Sequence, residues 1–144
     1  TQAIIRSGVS GRVPESDFMA HLRAALNAPG RNTRVVRINA GVHAIRDERG
    51  KRRSTVAGAP RGSADLSGIV RAPSEVKGVR LEIEVKSATG KQTKEQAEWQ
   101  KFIESWGGVY VLVKYYREHD LDENIRMGVT AVDAAIEKRR ADGC

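Results

Sequence analysis

Cysteine is almost missing from this chain of 144 residues, and the only one, Cys144, occupies the last position. It can close no disulfide within the chain and supports no cysteine-based zinc site, in keeping with a reducing compartment. Histidine is equally sparse: His21, His43 and His119 fall in separate segments, without the spacing of metal ligands. No apolar run approaches the roughly 20 residues that span a bilayer, and the first residues carry no signal-peptide pattern. The expectation is therefore a soluble, cytoplasmic protein with no membrane partner. No repeat of solenoid period is present. Acids are outnumbered, 18 against 25 Lys and Arg, for a net charge of +7. That excess favours a polyanionic partner and names no activity. The bases gather at 31–37, 46–61 and 138–140, the acids around Glu82 and Glu84 and at 119–123. An acidic pocket inside a basic protein suits a cation that meets phosphate.

The length fits one domain with a sizeable core. Residues 1–12, with Gly8, Ser10 and Gly11 among few apolar side chains, read as a flexible arm ahead of a domain over 13–144. Phe18, Leu22, Ala25 and Leu26 form one helical stripe, with Pro14 at its start and Pro29-Gly30 beyond its end. β-Branched residues mark a strand at 33–38, and a charged, exposed hairpin is predicted from 42–46 and 51–56 about the turn Asp47-Glu48-Arg49-Gly50. A small-residue loop at 57–63 leads through Asp65 to a short strand at 66–70, and a longer strand follows at 79–86. Thr93 is a candidate N-cap for a second helix whose stripe, Trp99, Phe102, Ile103 and Trp106, places both tryptophans in the core. Val109 to Val113 has the composition of a buried strand. The stretch 115–127 shows no period, and a last helix is expected at 131–140 with Thr130 as its cap. This order predicts an α/β domain with a central mixed sheet flanked by helices.

Chemistry-bearing side chains concentrate in Leu81-Glu82-Ile83-Glu84-Val85-Lys86, with Asp65 before it and Gln96 after it. Alternation along a strand buries Leu81, Ile83 and Val85 and sends Glu82, Glu84 and Lys86 to the other face. Glu84 and Lys86 are then roughly 7 Å apart along the strand, near enough for a carboxylate-held divalent cation and an ammonium to act on one phosphate. A half-solvated antiparallel strand has the same alternation. Glu15 falls in a first helical turn, where the helix dipole favours a carboxylate in any case. Gln96 lies three residues after Thr93, the spacing of a capping box. Arg37 and Asn39 fit the shaping of a turn as well as contact with a nucleic acid.

Taken in order, Glu15, Arg37-Ile38-Asn39-Ala40-Gly41, Gly62-Ser63-Ala64-Asp65-Leu66, Ile83-Glu84-Val85-Lys86 and the run from Gly90 to Gln96 resemble the blocks of the virus-type replication-repair nuclease (VRR-NUC) family, within the PD-(D/E)xK superfamily. The resemblance implies a restriction-endonuclease-like domain with an αβββαβ core plus a C-terminal helix. It implies that Asp65 and Glu84, with the backbone carbonyl of Val85, bind Mg2+ or Mn2+, hard cations that take oxygen ligands and water. Lys86 would orient or deprotonate the attacking water, Glu15 would bind a second cation or a metal-bound water, and Gln96 would support the site. Arg37, Asn39, Arg52, Arg53, Arg61 and Lys91 would contact the nucleic acid. One position departs from the family: its proline before the aspartate is Ala64 here, which softens the turn and removes no ligand.

The function so implied is a metal-dependent DNA endonuclease, with branched DNA such as a four-way junction as substrate. It would act as a homodimer whose two-fold axis matches that of the junction, with the first helix and the segment 115–127 as candidate interfaces. A nicking or restriction-like enzyme on duplex DNA fits the same residues. A non-catalytic nucleic-acid-binding module and a small basic RNA-binding protein also fit the charge, but neither gains from placing Asp65 beside Glu84 where phosphate must lie.

Overall fold

A computed structural model describes residues 14–38, 42–57, 59–71 and 77–143, with the side chains of residues 42–45 and 52–57 excepted. The arm expected at 1–12 lies outside the described residues. The elements run α1 (Glu15–Leu26), β1 (Thr33–Arg37), β2 (Val42–Arg46), β3 (Arg52–Ala57), β4 (Leu66–Arg71), β5 (Gly78–Ser87), α2 (Lys94–Ser105), β6 (Val109–Tyr115) and α3 (Leu121–Gly143). Among the described residues, four strands form one sheet in the order β1-β4-β5-β6, and β2 with β3 forms a separate hairpin. The sheet is mixed: β1, β4 and β5 are antiparallel neighbours, whereas β5 and β6 run parallel across the α2 crossover. No helix among the described residues is long and apolar enough to cross a membrane.

Strand alternation divides the apolar side chains between two layers. Val35, Leu66, Val70, Leu81, Ile83, Val85, Val111 and Val113 meet Phe18, Leu22 and Leu26 of α1 and Val132 and Ile136 of α3 in the main core. On the other face a smaller core of Ala64, Ile103 and Tyr110, with Trp99 against it, seats α2. The strand β5 is thus covered on both sides, and its outward-reading carboxylates are buried: Glu82 and Glu84 keep 1% and 3% of their exposure.

Two expectations from the sequence are corrected. The last helix begins ten residues earlier than predicted, and Thr130 lies inside it. Asp120 provides a cap at this end, its Oδ1 accepting from the Glu123 N–H at 2.8 Å. The apolar stripe Leu121, Ile125, Val129, Val132 and Ile136 is present but broken by Asn124 and Gly128. Asn124 is fully buried, its amide accepting from the Tyr116 N–H at 3.0 Å and donating to the carbonyls of Tyr116, His119 and Asp120. Gly128 sits where a Cβ would come within 3.0 Å of Leu22 Cδ1, so α3 approaches α1 closely at that point. Replacing Asn124 by leucine strands those backbone groups and should cost about 3 kcal/mol, read as a lower urea midpoint at unchanged slope.

The second correction concerns the α2 stripe. Of its four members only Ile103 is buried; Trp99 is partly covered, Phe102 is 48% exposed and Trp106 81%. Among the described residues β6 is the edge strand of the sheet on this side, and Trp106 is the C-cap residue at the end of α2. The expected burial of Trp106 fails for want of a layer beneath it.

Candidate active site

Three elements bring the site together. The turn ahead of β4 is fixed by Gly62, whose φ of 90° suits glycine and whose absent side chain lets the loop press on α2, since a Cβ would stand 2.5 Å from the Glu95 carbonyl oxygen. Ala64, buried at 1%, packs under α2 where the resembling family carries proline. The Ile38 N–H donates to the Asp65 carbonyl at 2.9 Å and extends the β1–β4 ladder to that residue. The β4–β5 register sets Leu66 opposite Ile83, so one step further Asp65 faces Glu84.

Asp65 Oδ2 accepts from the Val85 N–H at 2.7 Å. Glu84 Oε2 accepts from Gln96 Nε2 at 3.1 Å and lies 3.8 Å from Lys86 Nζ, whose side chain is 18% exposed. Glu84 Oε1 is buried without a hydrogen-bond partner. Burial first, then the charge and hydrogen bond of Asp65, push the Glu84 carboxyl up to about 8; Lys86 pulls against this, and the charge of Glu15 adds the smallest contribution. Two carboxylates facing one another in a dry site need a proton or a cation between them. Near neutral pH without metal, that role falls to a proton held on Glu84.

The buried neighbour Glu82 shows what a satisfied carboxylate looks like here. Its Oε2 is paired with Arg80 Nε at 2.9 Å and its Oε1 accepts from the Trp99 indole N–H at 2.8 Å. Glu82 is therefore a structural anchor for α2, and Glu84 is the one left with capacity to spare.

Gln96 makes the capping box that its spacing predicts, and its amide also reaches Glu84. Its backbone N–H donates to Thr93 Oγ1 at 3.1 Å and its Oε1 accepts from the Thr93 N–H at 2.9 Å, closing the capping box. Those bonds turn the amide nitrogen toward Glu84, so the helix cap also sets the orientation of the carboxylate.

The remaining predicted residues are more scattered. Glu15 is exposed in the first turn of α1. Its charge is nonetheless felt by the Glu84 carboxyl, although among the described residues no group of three or more Asp, Glu, His or Cys side chains is placed to hold a metal ion. The donor set is two carboxylates and a backbone carbonyl, with an unpartnered buried oxygen, and this fits a hard divalent cation that keeps several waters. Arg37 is exposed at the end of β1, opposite Leu66, and Arg61 and Lys91 are exposed on the loops before β4 and α2. Asn39 lies outside the described residues, as do the side chains of Arg52 and Arg53.

Sequence reasoning missed three side chains of the α2 face. Gln92 donates to Tyr110 Oη at 3.2 Å and to Gln100 Oε1 at 2.9 Å. Burial pushes the Tyr110 hydroxyl up to about 12, against the Gln92 bond and with help from the charges of Glu84, Asp65 and Glu82. Lys114, opposite Lys86 in the parallel register, donates to the Gly90 carbonyl and pins the loop ahead of α2. The alternation of β6 was the available signal, since it sends Tyr110 and Lys114 to the face opposite Val111 and Val113.

No family model matches this chain, and no curated protein does. The site is therefore read from its own geometry, with the resemblance of the five sequence blocks beside it.

Proposed function

We propose that the protein is a cytoplasmic metal-dependent DNA endonuclease of the VRR-NUC type, with a restriction-endonuclease-like fold, hydrolysing phosphodiester bonds in branched DNA. One observation supports this reading above the others: Glu84 faces Asp65 with one oxygen, Oε1, buried and without a partner, while its other oxygen, Oε2, lies 3.8 Å from Lys86 Nζ. Asp65, Glu84 and the carbonyl of Val85 would hold Mg2+ or Mn2+. When bound, such an ion polarises the scissile phosphate and lowers the pKa of water, which allows hydrolysis at neutral pH. Lys86 offsets phosphate charge and orients the attacking water. That water gives its oxygen to phosphorus and a proton to solvent, and the bond to the leaving oxygen breaks, the leaving oxygen taking up a proton from solvent. Gln96 keeps Glu84 turned toward the ion. Two copies, one per symmetric cut, match a junction's two-fold symmetry. The apolar faces of two segments expected at that interface are already used within the chain, Phe18 and Leu22 of α1 and Tyr115, Leu121 and Ile125 of 115–127 in the main core.

Labelled four-way junction and matched linear duplex, incubated side by side with Mg2+, Mn2+ or chelator, test the proposal. Metal-dependent cutting of the junction is expected, with none in chelator. Equal cutting of both DNAs would replace the junction enzyme by a nicking or restriction-like one. No cutting of either, with binding intact, would leave a non-catalytic nucleic-acid-binding module.

A further inference from the structure

On the face of the sheet that carries Glu84, α2 covers only the β5–β6 half. Across β1 and β4, Val36 and Ile69 are 57% and 50% exposed on that face, and Ser67 between them is buried. The register places Val36, Ser67 and Glu82 in one row and Arg34, Ile69 and Arg80 in the next. Beyond them, where β4 ends and β5 begins, is a cavity of about 420 Å3 lined by Arg31, Arg34, Arg71 and Lys77 over Ile69 and Gly78. It has four cationic side chains and no carboxylate among its lining residues.

One of the four cations is paired with a carboxylate, and a second is tied to backbone carbonyls. Asp133 holds Arg31 in a two-pronged pair, Nη2 to Oδ1 at 2.8 Å and Nη1 to Oδ2 at 3.1 Å. Arg34 Nη1 is tied to the carbonyls of Arg31 and Thr33 at 2.9 and 2.6 Å. Among the described residues no carboxylate pairs with Arg34, Arg71 or Lys77. Six strand steps separate Asp65 from Arg71, a span of about 20 Å at strand rise. Cavity and carboxylates therefore lie on one face of the same two strands, with the exposed Ile69 and the buried Ser67 between them.

We propose that this cavity and the β1–β4 face form a nucleic-acid backbone track, which grips the strand flanking the scissile phosphate about 20 Å, or roughly six nucleotide steps, away. The purpose assigned to the track rests on the nuclease reading; the anion binding does not. A closed pocket would suit a small phosphorylated ligand, whereas this one opens onto a sheet face that a polymer can follow. None of its four cations is among the contacts expected from the sequence, because they come from three separate segments that only the β1-β4-β5 pairing assembles.

The test is binding of a labelled 24-base-pair duplex in chelator over a salt series, for wild type, the Arg71→Ala/Lys77→Ala double variant and Lys86→Ala. Both track residues are exposed, and a thermal melt confirms that the fold is kept. The double variant is expected to bind at least about tenfold more weakly, with a slope of log affinity against log salt smaller by about 1.8, or 0.9 per lost phosphate contact. Arg71→Lys/Lys77→Arg should keep wild-type affinity. Unchanged affinity and slope in the double variant would overturn the track, whatever the cleavage assay shows. ADP binding that is lost in the double variant while DNA affinity is unchanged would overturn it too, in favour of a small-ligand site. Lys86→Ala, which removes the one active-site cation held against phosphate, should lower the slope by no more than about 0.9, half the effect of the double variant. If wild type cuts no DNA with any metal and the slope still falls, the track stands and the nuclease reading fails.

Discussion

Replacing Glu84 by glutamine should stabilise the metal-free protein at pH 7 by about 3 kcal/mol and abolish metal-dependent cleavage. The Glu84 carboxyl stands at about 8 in the fold against an ordinary 4.5. Below the ordinary value both folded and unfolded chains hold the proton, and the group is neutral to stability. Between the two values the unfolded chain releases the proton while the folded chain keeps it, so stability falls as pH rises, by about 1.4 kcal/mol per unit. Above the folded value both are ionised and the penalty is constant. Glutamine imitates the protonated side chain, offering N–H to Asp65 and oxygen to Gln96, and it does not titrate. Urea melts from pH 5 to pH 8 in chelator should show the wild type losing stability and Glu84→Gln losing much less. A wild-type profile that rises over this window would contradict the burial argument.

Lys86→Ala is expected to lower the single-turnover cleavage rate by about 10²–10³-fold, the usual effect of removing one charge-stabilising group from a dry site. Its second effect follows from the 3.8 Å approach to Glu84. The charge of Lys86 pulls the Glu84 carboxyl down, against burial, Asp65 and Glu15. Without the ammonium, ionisation moves to higher pH, and the residual activity should reach its plateau at higher pH than in the wild type. A variant with wild-type rate and pH profile would remove Lys86 from the mechanism.

Local patterns carried much of this reading. The alternation in 81–86 foretold which side chains share a face, and the Thr93/Gln96 spacing foretold the cap. What they did not carry was cover. Glu82 and Glu84 look like residues of a half-solvated strand until α2 is known to lie over them, and only then does the satisfied pair Arg80–Glu82–Trp99 separate from the unsatisfied Glu84. The same gap explains Trp106: periodicity says which stripe a helix presents, and the sheet's width decides how much of it is buried. The start of α3 was hidden because Asn124 and Gly128 occupy its inward face, one to bind a loop and the other to admit α1. The Arg31, Arg34, Arg71 and Lys77 cluster depends on strand pairing that no local window contains.

The most direct test of the central claim, that Asp65 and Glu84 hold a divalent ion between them, is calorimetric titration of Mn2+ at pH 7 in buffers of different protonation enthalpy. The wild type should bind one ion with release of about one proton, the one that Glu84 keeps in the metal-free protein, and Glu84→Gln should show neither binding nor release. Absence of Mn2+ binding by the wild type, or binding by Glu84→Gln that matches it, would contradict the account.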